Sequence, residues 1–331
     1  MQALLTFVAP KGGICAVRAD GTHGLRLSPR RQIADIAWSP DGRSVAFVQG
    51  ARHGQGKIFV TDARGRSRSS FGTGGLFNGP PLWSPDGQHI AYMATNGHDE
   101  WLSVARPDGS EDRGVSGDLG WPPAEPNHPS WSPDGQRIAF DAGYGPKSIY
   151  SVRVDGSDRR ILITDAVQPA YSPDGTKLAY VEFHYGGGNT GVFVANADGS
   201  DPHRVSSRAI RFDGWGPSWS PDGTLLALST VASPEVVIVR VDGSGERVIA
   251  DLGSRWVRSA PQWSPDGSVV AFTQVPAAYR PFRSSIAVAR ADGSGWRVIV
   301  TNRHSRRDLF SLAWRPAVAL PAAKRAPCSV R

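Results

Sequence analysis

Three groups of residues in this 331-residue sequence are of types that could do chemistry. Asp41, Asp86, Asp134, Asp174, Asp222 and Asp266 each sit in the same Ser-Pro-Asp-Gly string, with Tyr171 or a tryptophan directly before it. A set of carboxylates could hold a cation or serve as acid and base. A second group lies outside that string: Trp121, Trp215 and Trp256, with Arg211, Asp213, Arg255, Arg258, Glu125 and His128 nearby. Trp, Tyr and Arg dominate protein interfaces, and they also suit stacking on a sugar with an arginine for its carboxylate. The third group holds histidines: His53, His98-Asp99-Glu100 and His184-Tyr185. Adjacent residues are poorly spaced for one metal ion, and no His-x-x-x-His or close cysteine pair occurs. Neither Gly-x-Ser-x-Gly nor a phosphate loop is readable; Gly186-Gly187-Gly188 has no helix behind it to hold an anion. No catalytic residue, metal or cofactor is expected.

Composition narrows the partners. The 38 Gly and 26 Pro are enriched yet short of a low-complexity level, and 11 Trp argue for a packed core. The net charge of +7 is mostly arginine, since only Lys11, Lys57, Lys147, Lys177 and Lys324 are lysines. No run of five like charges appears, so a nucleic-acid partner is not expected. Cys15 and Cys328 cannot make a disulfide framework and read as free thiols, with one bridge near the chain ends as the alternative. No stretch of 18 apolar residues could span a membrane. The start, Leu4-Leu5-Thr6-Phe7-Val8, reads as a strand and not a leader. The chain as read is expected in the cytoplasm, or in the periplasm or outside if the start codon lies further upstream.

The elements that must position these residues follow from an internal repeat. Trp-Ser-Pro-Asp-Gly starts at Trp38, Trp83, Trp131, Trp219 and Trp263, Tyr171 heads a variant, and Trp314-Arg315-Pro316 is a degenerate last copy. Successive copies are 40 to 51 residues apart. Each full copy is a turn with a mechanism: Pro presets φ, and Gly accepts the positive φ that closes a hairpin. An alternating run comes next, such as Arg137-Ile138-Ala139-Phe140, which the period of two marks as a half-buried strand. A second series of Asp-Gly turns is interleaved at Asp20, Asp108, Asp155, Asp198, Asp242 and Asp292. One unit is therefore four strands: a ends in the aromatic, b is the alternating run, c precedes Asp-Gly, and d comes after it. Four-stranded units at this period predict an all-β propeller.

The chain ends set the blade count. Residues 4–8, 14–19 and 24–27 supply b, c and d without an a, and residues 309–315 supply an a without b, c or d. Seven blades result, the last closed by pairing of both chain ends; six blades with a loose end is the alternative. The propeller is expected to occupy residues 1–316, with an Ala/Pro-rich, disordered tail over 317–331.

The six Ser-Pro-Asp-Gly units, with an aromatic before and an Ile-Ala-Phe-like strand after, resemble the TolB-type propeller repeat, the Pro-Asp relative of the WD repeat. The resemblance covers nearly the whole chain. What it implies for function diverges. Such propellers bind proteins in the Tol–Pal envelope system, form the non-catalytic domain of prolyl oligopeptidase-like enzymes, and occur as oligogalacturonate lyases. The sequence departs from these patterns in showing neither the amino-terminal α/β domain and leader of TolB nor a hydrolase domain.

Recurrence at every blade makes the six aspartates turn-formers and the motif aromatics inter-blade packing. The a–b and c–d turns share one face and are short and regular. The b–c and d–a loops share the other and are long and unlike one another, and loops on a rigid scaffold carry function. The candidate binding residues there are Trp121, Arg211, Asp213, Trp215, Trp256, Arg258, His184 and Tyr185. The expectation is a monomeric, non-enzymatic propeller that binds a protein or peptide partner on this face. The alternatives are binding or cleavage of an acidic glycan, or service as a detached peptidase domain.

Overall fold

The computed structural model describes residues 4–9, 13–22, 25–27, 33–52, 55–62, 68–72, 80–96, 98–119, 125–143, 145–185, 188–208, 216–230, 233–253, 255–257, 261–276, 284–301 and 311–316. They form seven antiparallel sheets, and no helix occurs among the described residues. Blade 1 contains Ile33–Trp38, Ser44–Arg52, Gln55–Asp62 and Arg68–Phe71, in the order a-b-c-d from the centre outward. Blades 2 to 5 repeat this order, with strands a at Leu82–Trp83, Asn127–Trp131, Ala166–Tyr171 and Ser218–Trp219. Blade 6 departs from it. Its strand a is split into Arg255–Val257 and Gln262–Trp263, and both pieces pair with Val269–Pro276. Blade 7 takes strand a, Leu312–Arg315, from one chain end and Leu4–Val8, Ile14–Arg18 and Leu25–Arg26 from the other. Trp314 pairs with Leu5 in the register in which Trp38 pairs with Val45. The protein is a seven-bladed β-propeller, and the six-bladed alternative falls away.

The buried apolar residues gather in seven clusters, each between two successive blades. Phe140 and Val152 of blade 3, for example, join Ala91 and Leu102 of blade 2. A blade is thus covered on both sides, and strand b is not half-buried as its alternation suggests: every residue of Ile90–Thr95 is buried. Small residues such as Ala91, Ala139 and Ala227 alternate with large ones because two neighbouring sheets must interleave there.

Two rings of hydrogen bonds lace the blades together. In the inner ring five of the six motif indoles donate to the carbonyl just before the aromatic of the preceding blade, Trp38 being the exception. Trp83 reaches Ala37, Trp131 reaches Leu82, Trp219 reaches Ala170, Trp263 reaches Ser218 and Trp314 reaches Gln262, at 2.9–3.2 Å. A buried indole N–H needs such a partner, which fixes the aromatic as packing. In the outer ring a strand-d side chain donates to the carbonyl before the next Asp-Gly turn. Arg113 meets Val154, Arg247 meets Ala291, and Arg297 meets Ala19.

The Ser-Pro-Asp-Gly turns are identical in their bonds. Ser Oγ donates to Asp Oδ1 at 2.5–2.6 Å in all six. The same oxygen accepts the N–H two residues on, and the glycine adopts φ of +65 to +73°. These bonds hold all six carboxyls below the usual range. At Asp134, Asp174, Asp222 and Asp266 the serine hydroxyl is the main cause. At Asp41 and Asp86 partial burial opposes the shift and is outweighed by the hydrogen bonds together. The turns also stack around the ring: a Cβ on Gly175 would stand 3.3 Å from Pro133 Cδ of the blade before.

Cys15 is fully buried in blade 7 and disulfide-bonded, which overturns the reading of free thiols. Cys328 and the tail expected over 317–331 lie outside the described residues.

Candidate functional site

Strand a is the innermost strand of every blade, and its inner edge pairs with nothing among the described residues. Proline is tolerated on such an edge because it has no N–H to leave unpaired. Pro81, Pro129, Pro169, Pro217 and Pro261 all stand two residues before the motif aromatic. With Trp219, Trp263 and His128, the last four of them line a cavity of about 340 Å³ along the channel wall of blades 3 to 6.

One residue further back, three before the aromatic, the blades differ. Asp35, His128 and Gln168 occupy this position in blades 1, 3 and 4, all with left-handed backbone (φ +41, +48 and +57°). Each lies in a break of the a–b register, at Ala34/Ile36, Asn127/Ser130 and Val167/Ala170. The bulge re-aims the residue, as bulges beside sites commonly do. Burial pushes the Asp35 carboxyl up to about 6. His128 and Gln168 share one partner, the fully buried Asp141 on strand b of blade 3. The His128 Nδ1–H donates to Asp141 Oδ1 at 2.8 Å, and the Gln168 N–H donates to the same atom at 2.8 Å. Lys147 Nζ stands 3.9 Å from Asp141 Oδ2, an oxygen without a hydrogen bond of its own. The ring of His128 is held in one orientation by a carboxylate, an arrangement that fixes its tautomer.

The expected loop-face residues are distributed unevenly. Trp121, Arg211, Asp213, Trp215 and Arg258 lie outside the described residues. Trp256 does not lie in a d–a loop: its backbone pairs with Val275 as the first piece of blade 6's strand a. His184 and Tyr185 stand at the tip of the b–c hairpin of blade 4, where His184 pairs with Gly188. Tyr185 is 71% exposed, and the His184 Nε2 is 3.9 Å from Glu182. A cavity of about 680 Å³ lies on the opposite face, between Arg290–Arg297 of blade 6 and Ala19 of blade 7, and involves none of these residues. Among the described residues no group of three His, Cys, Asp or Glu could hold a metal ion, and no helix is long and apolar enough to cross a membrane.

Sequence reasoning placed His128 in a loop and passed over Asp35, Asp141 and Gln168. The available signal was departure from the repeat, since each differs in type from its counterparts in most other blades.

Comparison with known proteins rests on this ring. Residues 13–166 match the family described as the TolB beta propeller domain. That match spans a little under half of the chain, and over it the propeller is similar to the TolB type. Over 65 residues it is 37% identical to the Tol-Pal system protein TolB of Alcanivorax borkumensis. That segment is 20% of this chain and 15% of the relative. The crystal structure of TolB from Acinetobacter baumannii superposes with a TM-score of 0.57 at 17% identity, covering 96% of this chain and 67% of that one. An oligogalacturonate lyase from Vibrio parahaemolyticus superposes with a TM-score of 0.58 at 13% identity, covering 90% and 85%. At such identities the structural likeness speaks for the propeller fold alone.

Proposed function

We propose that this TolB-like propeller binds a protein or peptide partner on its b–c and d–a loop face and catalyses no reaction itself. The observation that carries the reading is the contrast between the two faces. On the turn face every serine and aspartate of the motif is used in an identical turn. On the loop face the blades differ, the strand-a bulges set unlike polar residues at the channel mouth, and Tyr185 projects into solvent. The relative's name places that protein in the Tol-Pal system, which agrees with a partner-binding role here.

The test is capture of a partner by the purified, tagged propeller after cross-linking in cells of the source. Trp215→Ala with Trp256→Ala should abolish capture of the band held by the wild type, while Asp174→Asn on the turn face should retain it. Unchanged capture by the folded double variant overturns the site. The acidic-glycan reading is separated by metal analysis and by activity on polyuronides.

A further inference from the structure

Among the described Asp-Gly turns between strands c and d, five close alike and one does not. The last N–H of strand c donates to the carbonyl four residues on: Arg18 to Thr22, Arg106 to Ser110, Arg153 to Ser157, Asn196 to Ser200 and Arg240 to Ser244. In blade 6 Arg290 donates to Gly295, five residues on, at 3.0 Å. The side chains beside this turn differ as well. Blades 2 to 5 fill the space there with contacts of their own. In blade 3 Arg137 donates to Ser151 Oγ at 2.7 Å and to Asp158 at 2.6 Å. In blade 4 Lys177 donates to Asn196 at 2.9 Å, and in blade 2 Arg106 donates to Glu111 at 2.7 Å. In blade 5 Arg240 lies along Gly245, whose Cβ would stand 3.4 Å from Cδ of that arginine.

In blade 6 the counterparts of Arg137, Ser151 and Asp158 are Val269, Val288 and Gly295, so each polar partner is gone. A Cβ on Gly295 would meet nothing within 4 Å. What remains is the cavity of about 680 Å³ at the junction with blade 7, within the size range of ligand pockets. Val269 stands opposite Arg290, and Val288 stands opposite Arg297, so the four share one sheet face. That face is turned toward blade 7, since Val288 packs with Cys15 and Val17. Arg297 donates to Ala19 O at 3.3 Å, which uses one of its five N–H groups. Among the described residues Arg290 has no acceptor for its guanidinium, unlike Arg106 and Arg137. Asp292, the carboxylate on the lining, accepts the Ser294 N–H at 2.8 Å and serves the turn. Two arginines against one engaged carboxylate leave the cavity positive, while Val269, Val288, Ala291 and Ala19 make its wall apolar. A cation meets repulsion there. A wholly apolar ligand strips water from a guanidinium without replacing it.

We propose that this cavity on the turn face binds a carboxylate carried on an apolar body, with the carboxylate on Arg290 and Arg297 and the apolar part against Val269, Val288 and Ala291. The planar fork of arginine matches a carboxylate in two parallel bonds, and the register sets both arginines on the same side. The site lies apart from the loop face and holds whether or not that face carries a partner. A small organic acid and the last residue of a peptide both present this chemistry, and the test separates them.

The probes are hydrocinnamate, its amide, and acetyl-Gly-Phe with a free or an amidated terminus. Each is titrated into the full chain at pH 7 and followed by NMR and calorimetry. Hydrocinnamate should bind about 10-fold or more tightly than its amide, and Arg290→Gln should lose about the same factor. Val269→Glu sets a carboxylate opposite Arg290, at a position where blades 1 to 4 carry Ser44, His89, Arg137 and Lys177. It should fold and abolish binding, while Asp35→Asn, remote on strand a of blade 1, should bind as the wild type does. The free-terminus peptide binding more tightly than hydrocinnamate supports the site with a peptide end as its ligand, and the reverse order supports it with a free acid. Equal affinity for acid and amide, no binding by any probe, undiminished binding by Arg290→Gln, or binding retained by folded Val269→Glu overturns the proposal.

Discussion

The two ends of the innermost strands follow different rules. At the turn end, every strand a runs into the same serine, proline, aspartate and glycine with the same serine–aspartate bonds, except where the chain closes. At the loop end, one repeat position holds Asp35, Pro80, His128, Gln168, Gly216, Ala260 or Ser311 according to the blade. The turn end must make identical neighbours stack in a closed ring, so one solution is copied. The loop end bears no such constraint, so its residues are left to serve something else. Closure is the turn end's single exception. Arg315 stands where the motif has serine, and its guanidinium donates through Nε and Nη2 to Gly42 O at 3.0 and 2.8 Å. It also lies 4.7 Å from the centre of the Trp38 ring. The Trp38 indole reaches Thr6 Oγ1, which donates to Ala313 O, so the inner ring is completed through a hydroxyl relay.

The sharpest way to break the turn end is therefore at its exception. Arg315→Ala removes a side chain from a residue only 3% exposed, together with two charge-assisted bonds and a cation–π contact. A loss of about 3 kcal/mol is expected in urea unfolding. Arg43→Ala, on the exposed side of the same turn, should change stability by less than about 0.5 kcal/mol. Equal effects would mean that the seam is not held by this residue.

At the loop end the expected sign reverses. The Asp35 carboxyl is raised to about 6 in the folded state, from an ordinary value of 3.8. The folded protein thus holds this proton more tightly than the unfolded chain, and stability falls as pH rises from about 4 through about 6. Asp35→Asn removes that penalty and keeps a side chain that tolerates a left-handed backbone. The variant should gain on the order of 1–3 kcal/mol at pH 8 and nothing at pH 3. A gain independent of pH would place the strain in the backbone and not in the charge.

The difference between the ends also explains what was legible in the sequence. Trp38, Pro40, Asp41 and Gly42 and their five repeats are local, so seven blades, the closing strand and the structural role of the six aspartates could all be read from spacing. The channel-mouth pair could not. His128 and Asp141 lie on different strands, and only the bulge between Asn127 and Ser130 turns the histidine toward its partner. Burial on both sides of strand b was hidden too, because Ala91 and Ala139 look like pauses in a pattern until a second sheet is laid against them. Trp256 read as loop because its strand piece, Arg255–Val257, stands apart in sequence from the motif piece Gln262–Trp263. Cys15 gave no local sign of its disulfide.

Between seam and channel mouth lie the ordinary junctions, where Trp219→Phe tests the inner ring. It leaves the Ala170 carbonyl without its 2.9 Å indole donor while preserving most of the packing. A loss of about 1–1.5 kcal/mol is expected, and Trp131→Phe should match it within about 0.5 kcal/mol, since both indoles make the same bond. A large disparity would show that the junctions are less alike in energy than in geometry.

The smallest effect belongs to the outer turns. The Asp155 carboxyl sits below the usual range because the Ser157 hydroxyl and backbone N–H bond to it, and it is fully exposed. Lowering by folding means that the ionised form is favoured in the native state. The stabilisation is present above the ordinary carboxylate range and is lost as pH falls through the lowered folded value. Asp155→Asn should therefore leave the melting temperature at pH 7 almost unchanged and flatten its decline on acidification. Asp134→Asn, in the inner turn stacked against its neighbours, should lower the melting temperature at pH 7 by more, because the carboxylate there receives the Ser132 hydroxyl at 2.5 Å from a buried serine. If the two substitutions were indistinguishable at pH 7, stacking of the inner turns would contribute nothing, and the copied motif would reflect hairpin chemistry alone.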